Sequence, residues 1–344
     1  MTNTVHLQIL SQPEFTRVGR MLLGSLWEES QEAYESFWLG LESPQLSRGK
    51  IFLLGAMDSD HPVARLALWK PLQGESLFFL YARERSLPPE AVESFLSAVK
   101  DFAKGKGVNA LTGPMAFSTW HPYRFISRMG DAAFFPGEQK MPEEDYSDFI
   151  RCGFSTIAEY RSTWVPDLRA SISVGDSMGV KQRLAAIEVK TLTGQDLPTL
   201  LPEIHRVSSE IFQDNFAYMP IALRDFLTLS SGEKGIEAVL IMVMVAGKTA
   251  GFGYGYDIGF YTGEPGHLPR KTAVLKTLGV LPEYRSLGLG YGLAYLFHAF
   301  WLDRDYEGLI HAYMKTDNRS LDMSGLVAKP IRAYALMKGT VHGE

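Results

Sequence analysis

The apolar positions of the chain fall into two series of segments that repeat one order. In the first, a helix-like stretch covers 12–41, an apolar run covers 51–57, and after a polar turn at 58–62 a second run covers 63–69, which predicts a hairpin. A strand at 77–81 and a loop at 83–90 follow. Val92, Phe95, Leu96, Val99 and Phe102 are then spaced as one face of a helix, and a strand at 108–112 closes the series. The second series has a helix-like stretch at 197–212, a run at 238–245 that turns at Ala246-Gly-Lys248 into 249–256, and a strand at 273–280. A loop at 281–288, a helix carrying Leu293, Leu296, Phe297, Phe300 and Trp301, and a strand at 309–314 complete it. Two copies of one α+β unit account for the repetition. The expected domains are 1–168 and 187–344, with the polar, glycine-containing stretch 169–186 as the linker.

Composition narrows the partners. The 344 residues suffice for about two domains with ordinary cores, so neither disulfides nor a structural metal is needed on grounds of size. Lys and Arg number 34 against 39 Asp and Glu, and a net charge of -5 offers no counter-field to a polyphosphate backbone, which argues against nucleic acid. Cys152 is the one cysteine and the eight histidines contain no HExxH spacing, so no metal is expected. The first residues lack a charged segment followed by an apolar one, and no run of 18 apolar residues occurs. The expectation is a cytoplasmic protein with no membrane span.

Short motifs separate by position. Ala246-Gly-Lys-Thr249 imitates the end of a phosphate-binding Walker motif, but the first glycine of that motif would fall at Met242 inside a strand, so a hairpin turn is expected. Gly175-Asp-Ser-Met-Gly179 matches a serine-hydrolase nucleophile elbow by letter, although the preceding Ser171-Ile-Ser-Val174 is short and polar for the buried strand that an elbow requires. The stretch Gly279-Val-Leu-Pro-Glu-Tyr-Arg-Ser-Leu-Gly-Leu-Gly290 carries more. A strand ends at Val280, a proline breaks it, and a glycine-rich loop runs into an amphipathic helix. Such a junction gathers free backbone N–H groups and the positive end of a helix dipole, which suits a pyrophosphate. Gly288 and Gly290 let a phosphate approach the main chain and Arg285 adds a charge-assisted bond. The third glycine of a dinucleotide-binding GxGxxG would be Leu293, which argues against that fingerprint.

Arg285-Ser-Leu-Gly288-Leu-Gly290, after a strand and before a helix, resembles the acyl-CoA signature of the GNAT superfamily of N-acyltransferases, and the order of elements is similar too. Leu111-Thr-Gly-Pro-Met-Ala-Phe-Ser-Thr119, Ile211-Phe-Gln-Asp-Asn-Phe216 with Pro220, and Gly279-Val-Leu-Pro-Glu-Tyr-Arg285 resemble a bacterial subgroup of tandem GNAT-like proteins. The resemblance implies an α+β fold of two tandem GNAT-like domains, each a mixed, mostly antiparallel twisted sheet flanked by helices. It implies acetyl-CoA or a longer acyl-CoA as co-substrate, held by Leu278, Val280, Arg285, Ser286, Leu287, Gly288, Leu289, Gly290 and Asn318. The backbone near Leu278 and Val280 would supply the donor to the thioester oxygen. In the first copy the corresponding loop, Arg83 to Glu90, has no glycine and two carboxylates, so the first domain is expected not to hold CoA. The family's tyrosine, which protonates the leaving thiolate, would fall about seven residues after Asn318, where Gly325 stands; Tyr334 is the nearest downstream tyrosine.

The implied reaction is direct attack of a small-molecule primary amine on the thioester, with Tyr334 and Asp257 as the catalytic candidates. Substrate-side candidates are Phe212, Phe216 and Tyr218, together with His311 and Tyr313, which alternation places on one face of their strand. Each of these also has an ordinary packing role open to it. The loop 113–141, with Trp120, His121, Tyr123, Arg124 and Arg128, is long enough to reach the second copy or to cover the first. A non-catalytic acyl-CoA-binding protein and a serine hydrolase are the alternatives, and the oligomeric state is left open.

Overall fold

A computed structural model describes residues 6–24, 49–215, 218–230, 237–317 and 327–341. The chain forms two compact units. Unit 1 comprises Met1–Arg128, Gln139–Glu159 and Tyr334–Glu344, and unit 2 comprises Met129–Glu138 and Tyr160–Ala333.

Unit 1 contains β1 (His6–Ile9), α1 (Gln12–Leu23), β2 (Gly49–Asp58), β3 (His61–Pro71), β4 (Ser76–Arg83), α2 (Pro89–Gly105), β5 (Ala110–Gly113), β6 (Phe125–Arg128) and α3 (Glu144–Arg151). Ser11 starts α1, its backbone N–H held by the Glu14 carboxylate at 2.9 Å. Strands β1 to β4 pair antiparallel in sequence order, and β4 pairs with β5 in parallel at Ser76↔Leu111 and Leu77↔Thr112. The predicted face of α2, with Val92, Phe95, Leu96 and Val99, is buried.

After the 129–138 segment the chain returns to unit 2 within β7 (Ser155–Val165). There follow α4 (Leu168–Ser177), α5 (Val180–Leu184), β8 (Glu188–Thr193), α6 (Leu197–Phe212), α7 (Leu223–Ser230), β9 (Ala238–Val245), β10 (Lys248–Tyr261), β11 (Arg270–Val280), α8 (Leu289–Leu302) and β12 (Gly308–Lys315). The last strand, β13 (Lys329–Thr340), begins in unit 2 and ends in unit 1, where Met337↔Gly113 to Thr340↔Ala110 set its antiparallel pairing with β5. In unit 2, β8 to β11 are antiparallel in order, β11 and β12 are parallel, and β12 is antiparallel to β7. Leu289, Leu293, Phe297 and Trp301 of α8 pack on Ala273, Leu275 and Leu309. Glycines on β10 permit this close approach, since a Cβ at Gly253 would stand 2.5 Å from the Phe297 ring. The opposite face of the sheet is covered by Phe135, Trp164, Tyr256, Tyr261, Val274 and Ile310.

These units depart from the expected halves. The expected boundary at 168 falls inside unit 2, which also takes 129–138 from the first half, while 334–341 returns to unit 1. The expected linker 169–186 carries α4 and α5. Asp167 caps α4 by accepting from Ala170 N–H at 3.1 Å, and Gly175 and Gly292 bring both helices against α8, where added Cβ atoms would meet Tyr295 at 2.6 Å and Leu184 at 2.7 Å. Polarity misled there because short helices lying on another helix bury only a narrow stripe. Gly175 to Gly179 is accordingly no elbow: Ser177 ends α4 and donates to Val174 O at 2.7 Å, and a helix precedes it where a strand is needed. Ala246 and Gly247 form the expected hairpin turn, with φ of 49° and 74°. Among the described residues no helix is long and apolar enough to cross a membrane, and no group of three metal-ligating side chains gathers.

Candidate functional site

The ladder between β11 and β12 runs only from Thr272↔Gly308 to Leu275↔His311, although β11 continues to Val280. At the same point β11 has a bulge. Gly255 pairs with Leu275 and Tyr254 with Thr277, leaving Lys276 as the extra residue. Leu281 N–H donates to Ala250 O of β10 at 2.9 Å. Because amide direction alternates along a strand, the N–H groups of Leu278 and Val280 face the other edge, past the end of the ladder.

Beyond that edge Pro282–Leu287 winds into a tight turn, Gly288 takes the left-handed conformation (φ 69°, ψ 18°), and α8 begins at Leu289. The first bond of the helix runs from Gly292 N–H to Gly288 O at 3.3 Å, so the N–H groups of Leu289, Gly290 and Tyr291 precede the ladder. Ser286, Leu287 and Gly288 are exposed. Arg285 is exposed as well, and its Nε donates to Val280 O at 3.3 Å. Arg183, missed in the sequence because it lies in the expected linker, brings its Nε to 4.0 Å from the point a Cβ on Gly288 would occupy, and its Nη1 donates to Met178 O at 2.8 Å. The loop thus combines open main-chain donors, a helix start and two guanidinium groups, a chemistry suited to a phosphate or pyrophosphate.

In unit 1 the corresponding place is taken by the chain itself. Past Leu77↔Thr112, Met115 N–H donates to Phe78 O at 2.9 Å, and Phe117 packs on Phe79 and Trp69 with ring centres 5.0 and 5.4 Å away. Arg83, at the start of the corresponding loop, is committed to the buried Asp148 carboxylate at 2.5 Å.

The substrate-side candidates divide. Ile211 and Phe212 at the end of α6 abut β11, within 2.8 and 3.3 Å of a Cβ built on Gly279. Tyr218 is half-buried, with its N–H bonded to Asn215 O at 3.0 Å. Phe216 and Asn318 lie outside the described residues. Asp257 pairs with Ala273, five residues before Leu278 and so roughly 16 Å along the strand. Its carboxylate accepts from Gly259 N–H at 2.7 Å and from the Tyr306 hydroxyl, whose pKa burial and this carboxylate raise. Asp257 therefore closes a turn at the far end of β10 and β11 and does not face the loop. Tyr334 lies on β13 in unit 1 and is 2% exposed.

His311 and Tyr313 do not share a face. A register shift between His311 and Met314, with Tyr313 at φ 55°, turns Tyr313 toward Phe135, ring centres 6.0 Å apart. His311 points to α8, where its Nε2 lies 2.8 Å from His298 Nε2, and His298 Nδ1 lies 2.6 Å from Ser171 Oγ on α4. Burial lowers both imidazole pKa values, that of His311 to about 4, so both are neutral at pH 7. A bulge is invisible to an alternation argument, which is why the shared face was expected.

Part of the 113–141 loop joins this site: 129–138 belongs to unit 2. Tyr256 and Tyr261 donate to Pro136 O and Ala133 O at 2.9 and 2.8 Å, and Arg332 forms a fully buried ion pair with Glu138 at 2.7 Å. A cavity of about 490 Å³ opens on the other side of the loop, between α6 and the β9–β10 hairpin. Among its lining residues Arg206 reaches Glu203 at 2.8 Å and Glu210 at 3.5 Å.

No family model matches the chain, and no curated protein matches its sequence. Solved structures align over nearly all of it. A tandem GNAT protein from the clavulanic acid biosynthesis pathway (without AcCoA) is 14% identical, with 99% of each chain covered and a TM-score of 0.54. A GCN5-related N-acetyltransferase from Sphaerobacter thermophilus is 10% identical, covering 100% of this chain and 98% of its own, with a TM-score of 0.52. Another from Anabaena variabilis is 9% identical over 98% of this chain and 73% of its own, with a TM-score of 0.57. The chain has the tandem GNAT fold.

Proposed function

We propose that this protein transfers an acyl group from acetyl-CoA or a longer acyl-CoA to the primary amine of a small molecule by direct attack, with unit 2 holding the CoA. One observation carries the reading: the edge of β11 freed beyond Leu275↔His311 leads straight into the anion-suited loop at the start of α8. A pantetheine arm laid along that edge can bond to the main chain of Leu278 and Val280, with one N–H as the donor that stabilises the oxyanion of the tetrahedral intermediate. Gly288, Gly290 and the N–H groups opening α8 receive the pyrophosphate, and Arg285 and Arg183 add charge. The tandem GNAT fold and the acetyltransferases that share it support the same chemistry.

The acceptor follows from the composition of β11, which carries no carboxylate along Arg270–Val280 to serve as a base. Neutralising a lysine-type amine of pKa near 10.4 at pH 7 costs about 4–5 kcal/mol, against about 1–1.5 for an α-amino group near 8. With Asp257 tied up elsewhere, an α-amino or similarly weakly basic acceptor is the easier one to serve, its proton leaving through water.

Native mass spectrometry and calorimetry on the full chain test the binding half, with one CoA per chain expected. Thiol release from acetyl-CoA with a panel of amines tests the transfer. Absence of CoA binding overturns the reading, and binding without turnover by any amine leaves a non-catalytic acyl-CoA-binding protein.

A further inference from the structure

Two features fix the position of Lys276. It is the extra residue of the β11 bulge, and it is the first residue past the end of the β11–β12 ladder. Val274 packs on the sheet face opposite α8 and Leu275 on the face of α8, so alternation returns Lys276 to the side opposite α8. There its Nζ lies 6.0 Å from the centre of the Tyr256 ring and 3.9 Å from the point a Cβ on Gly137 would occupy. Leu278, whose N–H faces the freed edge, is two residues further on, about 7 Å along the strand.

The surroundings are aromatic and rigid. Tyr254 stands 6.4 Å from Tyr256, and Phe135 meets Tyr313 edge to face at 6.0 Å, with Tyr254 and Tyr313 only half-buried. Tyr313 holds a left-handed φ of 55°, a conformation a bulky residue adopts only where its surroundings impose it. The 135–138 turn is held by the Tyr256 hydroxyl and by the Arg332–Glu138 pair, both side chains of which are 0% exposed. An exposed ammonium at the edge of half-buried aromatic rings complements a ligand that joins a carboxylate to an apolar body.

We infer that Lys276 and the 135–138 turn form the recognition corner for the acceptor, and that the acceptor is an α-amino acid with an apolar or aromatic side chain. The ammonium binds the carboxylate, the rings take the side chain, and the amine one carbon away is turned toward the thioester at Leu278. This inference rests on the acyl-transfer reading of unit 2 and adds the substrate class to it.

Calorimetry on the full chain with two matched pairs, phenylalanine against 2-phenylethylamine and leucine against isoamylamine, isolates the carboxylate. The expected result is at least 10-fold tighter binding of the amino acid in each pair, with and without CoA. Lys276→Met should bring the ratio below about 2 while leaving CoA affinity unchanged, and Lys276→Arg should keep the preference. Equal binding within both pairs, no binding of any of the four, or a ratio that survives Lys276→Met overturns the inference. Wild-type protein that binds the amino acids selectively but not CoA overturns the acyl-transfer reading instead.

Discussion

His298 and His311 meet Nε2 to Nε2 at 2.8 Å, so one ring donates and the other accepts, and the two imidazoles hold opposite tautomers at the shared contact. Both pKa values are depressed by burial, that of His311 to about 4. The unfolded chain therefore binds more protons than the folded one below about pH 6.5, and unit 2 loses stability as pH falls from there toward about 4. Each ring contributes up to about 1.4 kcal/mol per pH unit in that window. Denaturant unfolding at pH 5.0, 6.0 and 7.5 should show a steep acid loss in the wild type and a shallower one in His311→Gln. Equal slopes would mean that the pair titrates as freely in the fold as in the unfolded chain.

Gly288 and the arginines beside it separate main-chain geometry from charge. Gly288→Val puts a branched residue at φ 69°, which should cost CoA about 2–3 kcal/mol of binding, roughly 30- to 150-fold. Arg285→Ala and Arg183→Ala should each weaken binding by about 1–2 kcal/mol and flatten its dependence on salt. Calorimetry between 50 and ~500 mM salt reads both effects. Unchanged affinity in Gly288→Val would remove the loop from the binding site.

The resemblance implies Tyr334 as the acid for the leaving thiolate, yet this tyrosine is 2% exposed and belongs to unit 1, whereas the loop at Gly288 belongs to unit 2. CoA is a good leaving group, so Tyr334→Phe should slow turnover by about 10²-fold at most and leave CoA affinity intact. A wild-type rate across the pH range would exclude the role.

In unit 1, Asp145 should contribute to the pH dependence in the opposite direction. Burial raises Asp145 to about 7 although Arg85 donates to its Oδ1 at 2.7 Å, and its enclosed Oδ2 has no hydrogen-bond partner among the described residues. A raised carboxyl pKa means that the folded state binds more protons, so stability falls as pH rises from about 4 to about 7. Asp145→Asn should flatten that decline in urea titrations of the full chain. A variant less stable than the wild type at pH 8 would show that the charged pair with Arg85 outweighs the burial.

The repeated order of elements and the loop at Gly288 were legible in the sequence because each rests on local signals: apolar period, turn chemistry, a proline that ends a strand and glycines that open a helix. His311 against Tyr313 shows where such reading stops, since one register shift moves a side chain to the other face and leaves no mark in the composition. Asp257 stands out in the sequence as a carboxylate just after the Gly253-Tyr-Gly-Tyr256 run, and only its register with Ala273 shows which end of β11 it occupies. Segment 129–138 was flagged by loop length, yet its attachment depends on Arg332 and Glu138, 194 residues apart and joined by nothing a pattern of periods contains. Nothing in the pattern of periods singles out Lys276, and the bulge gives it its place.

The closing pairs of β13 with β5, from Met337↔Gly113 to Thr340↔Ala110, set an order of events during synthesis. The strands of unit 2 from β7 to β12 all lie between β5 and the strand that pairs with it. Until β13 has been made, β5 presents an open edge, the kind of surface that pairs with stray strands. A unit begun early is thus completed only after its neighbour has been synthesised, and damage to β13 would injure the unit whose other strands lie farthest from it in the chain.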